Sequence, residues 1–156
     1  MFVYHFRLRK RVLAAGAAVV GLVLALAIFL PGCRSSQSEE PIMLETVEQQ
    51  LEFLTSLGWT VNPTPIETLD LQLPRQWDGE WSAYVELQNS QGLPFSDFAG
   101  KQVRRCTYTL TNYPGIAKGV QANLYIYEGA LIGGDILSLG ETSFQAGLSF
   151  PNQVKT

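Results

Sequence analysis

Read from its residue pattern, the chain folds as an α+β domain: two helices packed on one face of a four- to five-stranded, mainly antiparallel sheet, preceded by one N-terminal transmembrane helix. Three features lead there. Residues 12–30 are apolar throughout. Between residues 44 and 90, two stretches place apolar side chains three and four apart, the period of a helix. After Gly100 the period drops to two, the mark of half-buried strands. Two amphipathic helices with four or five antiparallel strands imply an α+β layer, and about 115 exported residues can build one modest core without a disulfide.

Residues 1–11 are a basic tail, with Arg7, Arg9, Lys10 and Arg11 and no acid among them. Val12 to Leu30 follows without a charge. As a helix it measures about 28 Å, against a hydrocarbon core of about 30 Å. Cleavable signals carry a shorter apolar region, roughly 7–15 residues, so the length favours an uncleaved signal anchor. Cations on one flank keep that flank in the cytoplasm and send the remainder across. The expectation is a single-pass protein of the cell membrane, its N-terminus cytoplasmic and its C-terminal domain extracytoplasmic. A second fate stays open at the exit, where Leu30-Pro31-Gly32-Cys33 resembles a bacterial lipobox with Cys33 as the lipidated residue. Pro31 fixes the backbone where that motif has a small flexible residue, and it suits the stop of a helix better. Either fate tethers the domain to the outer face of the bilayer.

Residues 31–43 read as a polar linker, 44–150 as the extracytoplasmic domain and 151–156 as a C-terminal tail. Beyond residue 33, seven Lys and Arg face all fourteen acids, a net charge of −7. That reverses the footprint of a phosphate-backbone binder, so nucleic acid is not an expected partner. The single histidine, His5, sits in the basic tail, which excludes a histidine-based metal or catalytic site from the exported part. No metal and no cofactor is expected.

The first helix runs from Leu44 to Leu57, with apolar positions 44, 47, 51 and 54 and Glu45, Glu48 and Glu52 on the other side. Early acids suit its dipole, and Gly58 caps its end. Trp59 to Asn62 is a short extended piece, ended by Pro63 and Pro65. Leu69, Leu71 and Leu73 alternate with Asp70 and Gln72 in a strand stopped by Pro74. Trp77, Trp81, Tyr84, Val85 and Gln88 recur at helical spacing, making residues 77–90 the second helix; Gly79 weakens its first turn by about 1 kcal/mol relative to Ala. Cys106, Tyr108 and Leu110 then face away from Arg105, Thr107, Thr109 and Thr111. Asn112-Tyr113-Pro114-Gly115 is a turn. Val120, Ala122, Leu124 and Ile126 alternate with Gln121, Asn123, Tyr125 and Tyr127. Glu128-Gly129 joins that strand to Ala130-Leu131-Ile132 as a hairpin, and the remainder to Phe150 holds one more short strand or loop.

Several stretches fall in a familiar order: FLTSLGWTV, VELQNSQG, FAGKQVRRCTYTLTNYPG and ANLYIYEGALIGGDI, behind MFVYHFRLRK and one apolar helix. Over about residues 47–140, together with the N-terminal anchor, the chain resembles domain-of-unknown-function family 4830. The resemblance implies a Gram-positive, membrane-anchored protein, and brings no activity, substrate or cofactor with it. One departure is Cys106, where the family's pattern has an aromatic residue.

Candidate chemistry is sparse, and no catalytic residue is assigned. Ile132-Gly133-Gly134-Asp135 most resembles a site, since two glycines admit a close approach and Asp135 offers a carboxylate. The plainer reading is a bulge or bend with Asp135 bonded to local backbone N–H groups. Tyr125 and Tyr127, beside Gln121 and Asn123, suit a binding face. Trp59, Trp77, Trp81, Tyr84, Phe95 and Phe98 are either a groove for a sugar or peptide or, more simply, core. Asp78 and Glu80 read as solvated, Arg104 and Arg105 as strand-edge charges on opposite faces, and Cys106 as a small buried hydrophobe. Two functions follow as expectations. One is a non-catalytic module binding an envelope protein or cell-wall ligand through the sheet face and the Tyr125/Tyr127 hairpin. The other is a carboxylate enzyme using Asp135 with Asp70 or Glu128.

Overall fold

The computed structural model describes residues 40–140 and 143–151; the apolar segment 12–30 and Cys33 lie outside the described residues. The order is α1 (Val47–Ser56), β1 (Glu67–Gln72), α2 (Glu80–Ser90), a 3-10 turn (Phe95–Phe98), β2 (Gln102–Leu110), β3 (Val120–Tyr127), β4 (Ala130–Ser138) and β5 (Phe144–Ala146). The strands form one sheet in the order β1-β2-β3-β4-β5, every neighbouring pair antiparallel. Among the described residues no helix is long and apolar enough to cross a membrane.

Both helices start later than the apolar spacing implies, each for a local reason. Thr46 caps α1: its hydroxyl accepts from the Gln49 N–H while the Gln49 side chain accepts from the Thr46 N–H, the reciprocal box that ends the helix backward. Leu44 therefore precedes α1, and its N–H donates to the Gly129 carbonyl at 2.7 Å. Gly79, at φ +55°, holds the N-cap position of α2, which leaves Trp77 in the loop. There its indole N–H donates to the Ser96 carbonyl at 3.0 Å.

The two helices do not share a face, contrary to the sequence reading. Leu54 and Trp59, at the end of α1, pack with Tyr108, Leu110, Ala122, Leu124 and Ile136. Tyr84 of α2 and Phe95 pack with Val103, Tyr125 and Ile132. Neighbouring strand residues point to opposite sides, so Leu124 and Tyr125 look into two different cores. The second face was legible as solvent because it carries Thr107, Asn123 and Asp135. All three are buried, each satisfied by hydrogen bonds within the face.

Glu128 and Gly129 both take positive φ, +48° and +83°, the two-residue turn that suits the twist of a hairpin. A register shift follows at Tyr125/Ile126, leaving Ile132 as the extra residue of a bulge. Gly133 and Gly134 do not end the strand, and β4 continues to Ser138. Beyond the three residues of β5 the edge of β4 is covered by side chains from the last turn of α2 and its C-cap, Gln91. Gln88 Oε1 accepts from the Gly134 N–H at 2.8 Å. Gln91 Nε2 donates to the Gly134 carbonyl at 3.0 Å, and its Oε1 accepts from the Leu148 N–H at 2.6 Å. Gln91 thus stands where a peptide group of another strand would. Gln91→Ala is expected to lower stability by about 1–3 kcal/mol, because both backbone groups lose their partner; urea denaturation measures it.

Candidate functional site

β1 forms one edge of the sheet, and a groove of about 700 Å³ lies between it and the start of α1. Thr68 pairs with Cys106 and Asp70 with Arg104 across the ladder. Directly paired side chains share a face, so these four, with Tyr108, line the groove beneath Leu44, Glu45, Val47 and Gln50. The Glu128-Gly129 turn contributes to the same lining. Glu45 lies tight over that turn: a Cβ on Gly129 would stand 2.6 Å from its Cγ.

The lining is polar and internally hydrogen-bonded. The Tyr108 hydroxyl donates to Gln50 Oε1 at 2.6 Å, and Gln50 Nε2 donates to the Leu44 carbonyl at 3.1 Å. Burial pushes the Tyr108 hydroxyl up to about 12, so it stays a neutral donor. Burial also pushes the Cys106 thiol up, which keeps it protonated and a poor nucleophile at neutral pH. Arg104 meets Asp70 through Nε at 2.8 Å and Nη2 at 3.2 Å. That hydrogen-bonded guanidinium holds the Asp70 carboxyl below the usual carboxylate range. Asp70 and Arg104 balance each other, whereas Glu45 and Glu128 have no ion pair among the described residues. Among those residues no three His, Cys, Asp or Glu side chains gather as a metal site requires.

The residues singled out from sequence fall elsewhere. Tyr125 does not stand on an open surface: it is 7% exposed, with edge-on rings of Tyr84 at 5.8 Å and Phe95 at 5.3 Å. Tyr127 is half-buried against Phe98, ring centres 5.0 Å apart, so the two tyrosines do not form an open pair. Asp135 is 1% exposed and is bonded to side chains rather than to local backbone. It accepts from the Tyr84 hydroxyl at 2.9 Å, Gln145 Nε2 at 3.1 Å and Asn123 Nδ2 at 3.3 Å. Neither Asp70 nor Glu128, its suggested partners, joins it: both line the groove on the opposite face. What approaches the two glycines is core. A Cβ on Gly133 would stand 2.5 Å from the Phe95 ring, and one on Gly134 would stand 2.7 Å from Leu148 Cδ1. Trp59, Tyr84 and Phe95 are buried core, with Trp77, Trp81 and Phe98 packed half-buried at its rim. Asp78 and Glu80 are exposed. Arg104 and Arg105 pair across the ladder with Asp70 and Glu67. Cys106 is buried, as its face implied.

The groove itself escaped the sequence reading. Gln50 lies three residues beyond Val47 and four before Leu54, on the buried stripe of α1. A polar residue at such a position was the available signal. Val47, counted on that stripe, is 40% exposed at the groove wall.

A family model described as a domain of unknown function (DUF4830) matches residues 53–136. No curated protein and no solved structure matches the chain.

Proposed function

The chain belongs to the DUF4830 family, whose description carries no activity, and from that premise we propose a membrane-tethered, extracytoplasmic, non-catalytic binding module. Its ligand, an envelope protein or cell-wall component, sits in the groove between α1 and β1. The observation that carries this reading is the groove: a concave surface with a few convergent polar groups is the usual form of a binding site. The apolar segment behind a basic tail supports the tether, with residues 12–30 in the bilayer. Lipid attachment at Cys33 is the alternative tether, and the mass of the membrane-extracted chain separates the two. The carboxylate-enzyme alternative has less support, because Asp135 is sealed behind the sheet and Asp70 is occupied by Arg104.

A photoreactive side chain tests the site in the full-length, membrane-embedded protein. Placed at Val47, on the groove wall, it is expected to give a discrete adduct in intact cells. Placed at Glu86, exposed on α2 over the other face, it is expected to give none. Equal yields at both positions remove the groove from the reading. A domain resistant to protease added outside intact cells overturns the topology.

A further inference from the structure

We infer that the groove takes an extended polypeptide segment bearing lysine or arginine, which adds to β1 as a sixth strand. The inference rests on the groove reading above and names its ligand class. It starts from the two edges of the sheet. One is blunted: β5 has three residues, and Gln88 and Gln91 cap part of the rest of β4. The other is β1, six residues without proline, five of them exposed. Leu73 donates to the Lys101 carbonyl of β2's approach, and in an antiparallel pair alternate residues face the partner strand. Thr68, Asp70 and Gln72 therefore direct their backbone groups outward.

Edge strands are normally blunted by charges or bulges that discourage pairing. Here the two charges of β1 are turned back, Asp70 onto Arg104 and Glu67 onto Arg105 of β2. The outer row of donors and acceptors stays accessible, with Leu69 beside it 42% exposed. An added strand would send alternate side chains over Thr68 and Asp70 into the groove. Across it stand the carboxylates of Glu45 and Glu128, which form no ion pair among the described residues. The lining carries Glu45, Asp70 and Glu128 against one cation, Arg104. The added strand would lie three strand spacings, about 14 Å, from β3, so a lysine or arginine extending inward from it would meet those acids through the field they set up, within about a Debye length, and not as a direct ion pair. A second copy of this chain fits poorly, since it would set an acidic domain against an acidic groove.

The test uses the full-length chain in nanodiscs and a blocked peptide alternating lysine with threonine over about eight residues, enough to cover a strand. Binding is followed by fluorescence anisotropy and by amide shifts of Thr68, Asp70 and Gln72. The expected result is saturable binding that weakens roughly tenfold when the peptide's alternate amides are N-methylated, the loss of one or two backbone hydrogen bonds. Thr68→Pro is expected to weaken it similarly, because it removes an outward N–H that the native ladder does not use. The Glu45→Gln/Glu128→Gln pair should lower affinity for the lysine peptide and flatten its salt dependence. Binding indifferent to N-methylation and to Thr68→Pro would sink strand addition while leaving the groove as a site. No binding of any peptide, with the Val47 adduct still formed, would sink the peptide ligand alone. Concentration-dependent dimers abolished by Thr68→Pro would make the occupant a second copy and overturn the proposal.

Discussion

Phe95→Ala is expected to lower folding stability by about 3–5 kcal/mol, the usual cost of emptying an aromatic site in a core. The ring is 0% exposed and is the hub of the α2-side core, with ring centres of Tyr84 at 5.0 Å and of Trp77 and Tyr125 at 5.3 Å. It rests in the hollow that Gly133 leaves. Gly133→Ala alone should cost about 1–3 kcal/mol by overpacking. Because the side chain met first is Phe95 itself, the double variant should lose less than the sum of the two. Gly134→Ala makes the contrast. Its Cβ would stand 2.8 Å from the Asn123 backbone carbonyl, which no side-chain truncation removes. Urea midpoints at constant m read all of these. Strict additivity of Gly133→Ala and Phe95→Ala would show that the ring does not sit in that hollow.

These contacts explain why the strands were readable and the layering was not. The alternation in Val120 to Tyr127 and the Glu128-Gly129 turn are local features, and the hairpin forms where they place it. Which side of a strand meets solvent is not local. Tyr125 shares its face with Asn123, and polar neighbours suggested exposure. Yet Asn123 accepts from the Thr107 hydroxyl at 2.8 Å and donates to Asp135, so the face is polar and buried at once. The second helix supplies the cover, and its arrival over that face depends on aromatic rings far apart in sequence. The glycines misled in the same way: they do mark a close approach, but of Phe95 and Leu148 rather than a ligand. The groove was illegible for a further reason. It is made by the start of α1, the outer strand and a distant turn, and none of these carries an unusual motif.

Asp135→Ala is expected to cost about 2–5 kcal/mol, because it strands the Tyr84, Asn123 and Gln145 donors, each worth about 1–3 kcal/mol when buried unpaired. Asp135→Asn should be far milder. An amide can offer its oxygen to Asn123 and Gln145 and its nitrogen to the Tyr84 oxygen, which keeps the Asn123 and Gln145 donors paired and leaves the Tyr84 proton to find another acceptor. The two variants then separate the hydrogen-bond role of Asp135 from its charge. Burial holds the Asp135 carboxyl above the usual range, against the opposing pull of its bonds from Gln145, Tyr84 and Asn123 and of the Arg105 charge. A carboxyl raised in this way binds its proton more tightly in the folded chain than in the unfolded one. Its contribution is complete below the unfolded value of about 3.9, and it is lost as pH climbs through the folded one. Wild-type stability should therefore decline relative to Asp135→Asn as pH rises from about 4 toward neutrality. Urea titrations across that range decide it. Curves that stay parallel would mean the carboxylate is as comfortable in the core as in water, and that the three donors, not burial, set its charge.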